Sequence, residues 1–117
     1  MASTTSPNTS QATVLYPNTD ASTFDLEYYL KTHMPLVDEH WGPKGLKGWT
    51  ITKYVTADGN EPKFSIAAVL TWESDAHALD ALKSEAAKIV LGDIPKFSNV
   101  EPVVMLGSVI AAKGSMS

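Results

Sequence analysis

Lys63–Trp72 reads KFSIAAVLTW. The run lacks proline and glycine and is rich in β-branched and aromatic side chains, which marks a strand. Side chains alternate across a strand. Phe64, Ile66, Ala68, Leu70 and Trp72 therefore point one way, and Ala67 and Val69 the other. A half-solvated strand pairs an apolar face with a polar one, whereas this one is apolar on both. Upstream, Gly48–Thr56 (GWTITKYVT) alternates as well, and Ala57-Asp58-Gly59-Asn60 carries an Asp-Gly turn pair, so the two runs form a hairpin. Downstream, Ser74 caps a helix with Leu79, Leu82, Ala86, Ile89 and Val90 as its buried stripe and Gly92 as its stop.

Farther out lies a second helix. Ser22 provides an oxygen before Phe24-Asp25-Leu26-Glu27, and Leu26, Tyr29, Leu30 and His33 share one face. Pro35 cannot donate to a continuing helix, so the helix kinks or restarts there, with Leu36, Val37 and Trp41 on its apolar side. Gly42-Pro43 and Gly45 end it. Ala12–Tyr16 is a first strand and Val103–Ile110 a last one. The order β-α-β-β-α-β is the ferredoxin-like unit. The expected fold is α+β: a four-stranded antiparallel sheet with both helices on one face. One domain spans 12–112. Residues 1–11 are small, polar and uncharged and read as a flexible N-terminal tail, and 113–117 as a short C-terminal tail.

The last strand repeats the two-faced pattern: Val103, Met105 and Val109 on one side, Val104, Leu106 and Ile110 on the other. Helices cover one side only. A second copy of the chain is the simplest cover for the other, which gives a homodimeric α+β barrel.

Composition narrows the chemistry. The chain has 117 residues and a net charge of −4, and all nine basic residues are lysine. Without arginine there is no bidentate fork for phosphates or base edges, so no nucleic acid is expected as a partner. The absence of cysteine excludes a thiolate metal site, an iron–sulfur cluster and a cysteine nucleophile. No apolar run reaches the roughly 20 residues of a membrane span, and the N-terminus has no secretory pattern, so a cytoplasmic protein without a membrane partner is expected. Phosphate-loop, dinucleotide and serine-nucleophile motifs are missing. His33 and His40, seven residues apart, cannot meet on one metal ion along an unbroken helix. His77 reads as solvent-facing. His33 is the candidate that remains: a histidine on an apolar helix face beside a helix break can move a proton near neutral pH. A buried histidine bonded to backbone fits the same pattern.

The run Phe24-Asp25-x-x-Tyr28-Tyr29-x-x-x-His33-Met34-Pro35-Leu36-Val37, followed by Trp41-Gly42-Pro43-x-Gly45-Leu46 and Trp49, resembles the EthD family. The later Gly92-Asp93-Ile94-Pro95-x-Phe97-Ser98-Asn99-Val100-x-Pro102-Val103, closed by Gly107, resembles it too. The likeness extends over about residues 14 to 110. It implies a dimeric α+β barrel. That family and its relatives include a protein tied to ethyl tert-butyl ether degradation, fungal dehydratases acting on polyketides and a methylmuconolactone isomerase. It implies acid/base chemistry without a cofactor in a mainly apolar pocket, and it maps the family's histidine to His33 and its tyrosines to Tyr28 and Tyr29.

The expectation is therefore a small enzyme that dehydrates, cyclises or isomerises a flat, apolar or aromatic, polyketide-like substrate. His33 moves the proton, and Tyr28, Tyr29 or the Trp49 N–H holds an oxygen. Trp41, Met34 and Phe64 line the pocket, with Ile94 and Phe97 screening its rim. The alternative is a binding or accessory protein for an apolar metabolite, linked to an oxygenase. Haem held by His33 is a third reading, because some related barrels bind it.

Overall fold

The computed structural model describes residues 9–113. Its strands are β1 (Ser10–Pro17), β2 (Leu46–Lys53), β3 (Phe64–Trp72) and β4 (Val103–Ser108). They form one antiparallel sheet in the order β2-β3-β1-β4, the ferredoxin-like arrangement. β3 lies inside the sheet, with Ala68 opposite both Val14 of β1 and Ile51 of β2. Cross-strand partners share a face. Ala12, Tyr16, Ile66, Ala68, Leu70 and Trp72 therefore form the floor of the core, all buried under the helices.

Several boundaries move. β1 begins at Ser10, so Ser10 and Gln11 belong to the sheet rather than to the tail, and Thr9 is buried beside it. The rest of the N-terminal tail and residues 114–117 lie outside the described residues. In the β2–β3 connection, Gly59 takes φ +85, and Asp58 Oδ1 accepts the Asn60 N–H at 3.0 Å. A left-handed residue inside a tight turn is the place where glycine is needed.

The first helical segment begins at Asp25, whose side chain accepts the Tyr28 N–H at 3.1 Å. Ser22 instead closes a turn with Thr19. The helix then changes form twice. After α1 (Leu26–Tyr28), Tyr29–His33 makes one π-helical turn, and α2 (Met34–Trp41) follows with Pro35 in its first turn. The Met34 N–H reaches back five residues to the Tyr29 carbonyl. Pro35 has no N–H for Lys31, and the widened turn absorbs that loss. The expected break is thus one surplus residue in a continuous rod. A 3-10 turn (Gly42–Lys44) ends the segment at Gly45, whose φ is +99.

The second helix is two. α3 (Asp75–Lys83) and α4 (Glu85–Gly92) are separated at Ser84, which is extended at ψ 166. The break shifts the phase of the stripe. Ala78, Ala81, Ala87 and Val90 are buried, whereas Leu79 and Ile89, read as core, are exposed. All four helices pack on the same side of the sheet as the core floor.

Candidate active site

Three links bring the segment after α4 against the start of α1. The Asp25 N–H donates to the Phe97 carbonyl at 2.8 Å, and the Thr23 N–H to Asn99 Oδ1 at 2.7 Å. Asn99 Nδ2 returns a bond to the Ala21 carbonyl at 2.9 Å. This clamp seats the 3-10 turn Ile94–Lys96 beside the π turn. It places Asp93, 60 residues away in sequence, against His33.

His33 Nδ1 lies 3.0 Å from Asp93 Oδ2, and both side chains are buried. The Tyr28 hydroxyl donates to the other carboxylate oxygen at 2.8 Å. Lys96 Nζ approaches that same oxygen at 3.7 Å from the solvent side. Tyr29 stacks on the imidazole at 5.3 Å with 14° between planes, and Phe97 lies 4.6 Å from it at a tilt. The ring is therefore packed against two neighbouring aromatic rings and held at one nitrogen.

The charges follow from these contacts. Burial pulls the His33 pKa below its ordinary value, and Asp93 only partly opposes it. Burial acts on the Asp93 carboxyl in the upward direction, but the hydrogen bonds from His33 and Tyr28 and the charges of His33 and Lys96 outweigh it and hold the acid below its usual range. The hydrogen bond to Asp93 raises the Tyr28 pKa. Asp93 is thus an anion and His33 a neutral ring whose Nδ1–H donates to it, which leaves the lone pair on Nε2. That is the tautomer of a general base oriented by a carboxylate.

His33 forms part of the wall of a cavity between sheet and helices. The rest is almost wholly apolar, including Tyr29, Met34, Trp41, Leu70 and Ile94. Two other wall residues are exposed, Leu91 at 42% and Val104 at 46%, so the cavity reaches the surface between α4 and β4. Its volume is about 30 Å³. That is room for about one or two waters, against roughly 300–1,000 Å³ for a typical small-molecule pocket.

The expected site residues separate into three groups. His33, Tyr29, Met34, Trp41 and Ile94 meet at the cavity. Tyr28 stands outside its wall and acts on Asp93. Trp49, Phe64 and Phe97 are placed differently from the expectation. The Trp49 N–H is occupied by Asp38 Oδ1 at 2.8 Å, and Phe64 sits at the far end of β3 opposite Pro17. Phe97, expected on the rim, is buried among the rings of Tyr16, Phe24 and Tyr29. His77 is exposed, as read, and accompanies Ser74 at the start of α3. Asp93 is the residue that the expectation did not single out, although it stands in the quoted Gly92-Asp93-Ile94-Pro95 run. Among the described residues, no three metal-ligating side chains gather to hold an ion, and no helix is long and apolar enough to cross a membrane.

No protein-family model and no curated protein matches the chain. Solved structures do. An EthD-like protein from Ralstonia eutropha is 26% identical, covering 92% of this chain and 96% of its own, with a TM-score of 0.79. An ethyl tert-butyl ether degradation (EthD) family protein from Bacillus halodurans is 22% identical over 87% of this chain and 99% of its own, with a TM-score of 0.70. A dimeric ferredoxin-like protein of unknown function from Thermobifida fusca is 12% identical over 86% of this chain and 91% of its own, at a TM-score of 0.55, and shares the fold. With the double-tyrosine, histidine and proline run, the late Gly-Asp-Ile-Pro run and this topology in one polypeptide, the chain is similar in sequence pattern and fold to EthD-like proteins.

Proposed function

We propose that the protein is a homodimeric, cofactor-independent acid/base enzyme that removes a proton from a small, flat, mostly apolar substrate. Its product is an alkene, ring or isomer formed by dehydration, cyclisation or isomerisation. One observation carries this reading: a buried carboxylate orients a buried neutral imidazole at the wall of an apolar cavity. A protein that only stores an apolar metabolite gains nothing from burying an anion, which is costly unless the anion is held by bonds and put to use.

In this reading His33 Nε2 accepts the proton. Asp93 stabilises the imidazolium that forms, and Tyr28 keeps the carboxylate turned toward Nδ1. The apolar wall keeps water from competing for the proton. The cavity is smaller than any such substrate, so entry requires Leu91 and Val104 to move apart. The second copy is supported by the apolar residues on the open sheet face, Leu15, Val69, Val103 and Met105, and by the dimeric ferredoxin-like relatives.

The test needs no knowledge of the natural substrate. 2-Indanone carries acidic C–H groups next to a carbonyl on a flat apolar frame. Its hydrogen–deuterium exchange, followed by NMR, should be accelerated by the wild-type protein. In His33→Gln the acceleration should fall by about 10²–10⁴-fold, the usual worth of a general base. Equal exchange by the two folded proteins defeats the reading.

A further inference from the structure

The charge beside the cavity is negative, and the cavity wall itself carries none. Among the described residues of that wall there is no lysine, and the sequence has no arginine. Tyr16 and Tyr29 belong to the wall, and burial pushes both phenols up and keeps them neutral. His33 is the wall residue able to change charge near neutral pH, and at rest its ring is uncharged. Behind the ring stands the buried Asp93 anion, 3.0 Å from Nδ1. The Tyr28 hydroxyl on its other oxygen is neutral. Lys96 is the cation beside it, at 3.7 Å, but that side chain is 67% exposed and takes no part in the wall. Water screens an exposed charge far more than a buried one. Lys96 therefore offsets little of the field that Asp93 sets up across the imidazole.

We propose that Asp93 selects ligands by charge: the cavity takes uncharged molecules and admits an anion only together with a proton on His33. The proposal rests on the reading of the cavity as the reaction site and narrows its substrates to molecules without a free carboxylate or phosphate. Two obstacles face an anion. In the resting tautomer Nε2 carries a lone pair and offers a carboxylate no donor. A carboxylate within reach of Nε2 also lies roughly 8 Å from that of Asp93, across the ring, and at an effective dielectric of about 20 this repulsion weakens binding about thirtyfold. One proton taken from solvent onto Nε2 removes both obstacles. The imidazolium balances Asp93 and donates to the ligand, and no covalent bond other than N–H forms. Turnover keeps the same balance. Loss of a C–H proton to His33 makes an anion and an imidazolium at once, so the net charge beside Asp93 does not change.

The test uses two probes of one shape, indane-2-carboxamide and indane-2-carboxylate, titrated into the full chain by calorimetry. At pH 8 the amide should bind about thirtyfold more tightly than the carboxylate. Titrations in buffers of different ionisation enthalpy should show uptake of about one proton with the carboxylate and none with the amide. The ¹⁵N spectrum of the histidine rings should show His33 Nε2 protonated in the carboxylate complex and not in the amide complex. In Asp93→Asn the affinity gap should shrink to about threefold or less, and the proton uptake should vanish. The proposal is overturned if the two probes bind wild-type protein equally at pH 8, if the carboxylate binds without proton uptake or leaves the ring neutral, if the gap survives in folded Asp93→Asn, or if the amide does not bind saturably. Proton uptake and the ring spectrum are read on wild-type protein and do not depend on the variant folding. Binding is read without turnover. Absent deuterium exchange of 2-indanone therefore defeats the catalytic reading while leaving the charge selection in place, and equal affinities defeat the selection alone.

Discussion

Asp93 governs both the tautomer and the ionisation of His33, so the two residues stand or fall together. Asp93→Asn removes the contacts that oppose burial, and His33 should titrate at a still lower pH in an NMR titration of its ring. An amide can also donate to Nδ1 and so favour the other tautomer. Exchange of 2-indanone should drop by about 10²–10⁴-fold. The same pair predicts how stability depends on acidity. The folded chain takes up the His33 proton at a pH below the ordinary 6.5. The associated stability is complete above pH 6.5 and is lost as pH falls through the folded value. Asp93, held below 3.8, adds a loss of the same sign at lower pH. Urea midpoints should decline on acidification from below pH 6.5, and His33→Gln should flatten the upper part of that decline. His33 was readable from its apolar helix face and the Pro35 break. Its partner was not, because a separation of 60 residues hides the contact and an aspartate after a helix-ending glycine reads as ordinary loop chemistry.

The rod from α1 to α2 shows what periodicity reads and what it misses. Proline at 35 announced an interruption, and the interruption came as a single π turn that stacks Tyr29 on His33. Ser84 announced nothing. It lies inside an apparently unbroken apolar stripe, and only the extended backbone there reveals two short helices. Periodicity over the whole stretch therefore favoured Leu79 and Ile89 over the small alanines that meet the sheet. Trp49 belongs at this scale too, as a tie between β2 and α2 rather than a ligand contact. Trp49→Phe should lower the unfolding free energy by about 0.5–1.5 kcal/mol in a urea titration. It should leave the exchange rate of 2-indanone unchanged.

At the level of the molecule, strand order followed from connectivity alone, since a βαββαβ chain with antiparallel pairing has few ways to close a sheet. The two-faced strands carried the remaining information. Leu15, Val69, Val103 and Met105 lie on the side away from the helices, and Met105 is 52% exposed. Met105→Lys places a charge in the proposed contact between copies. Sedimentation should show wild-type dimers and monomers of this variant at micromolar concentration, with the circular dichroism of the single chain preserved.

β4 is an outer strand of six residues, paired within the sheet with β1, and Val104 on it borders the opening of the cavity. Strand ends and edges yield to solvent at a smaller free-energy cost than a sheet centre. Admission of a ligand is therefore coupled to fraying of this margin and not to loosening of the whole globule. Amide protons of β4 should trade with solvent faster than those of β3, and an occupied cavity should slow β4 first.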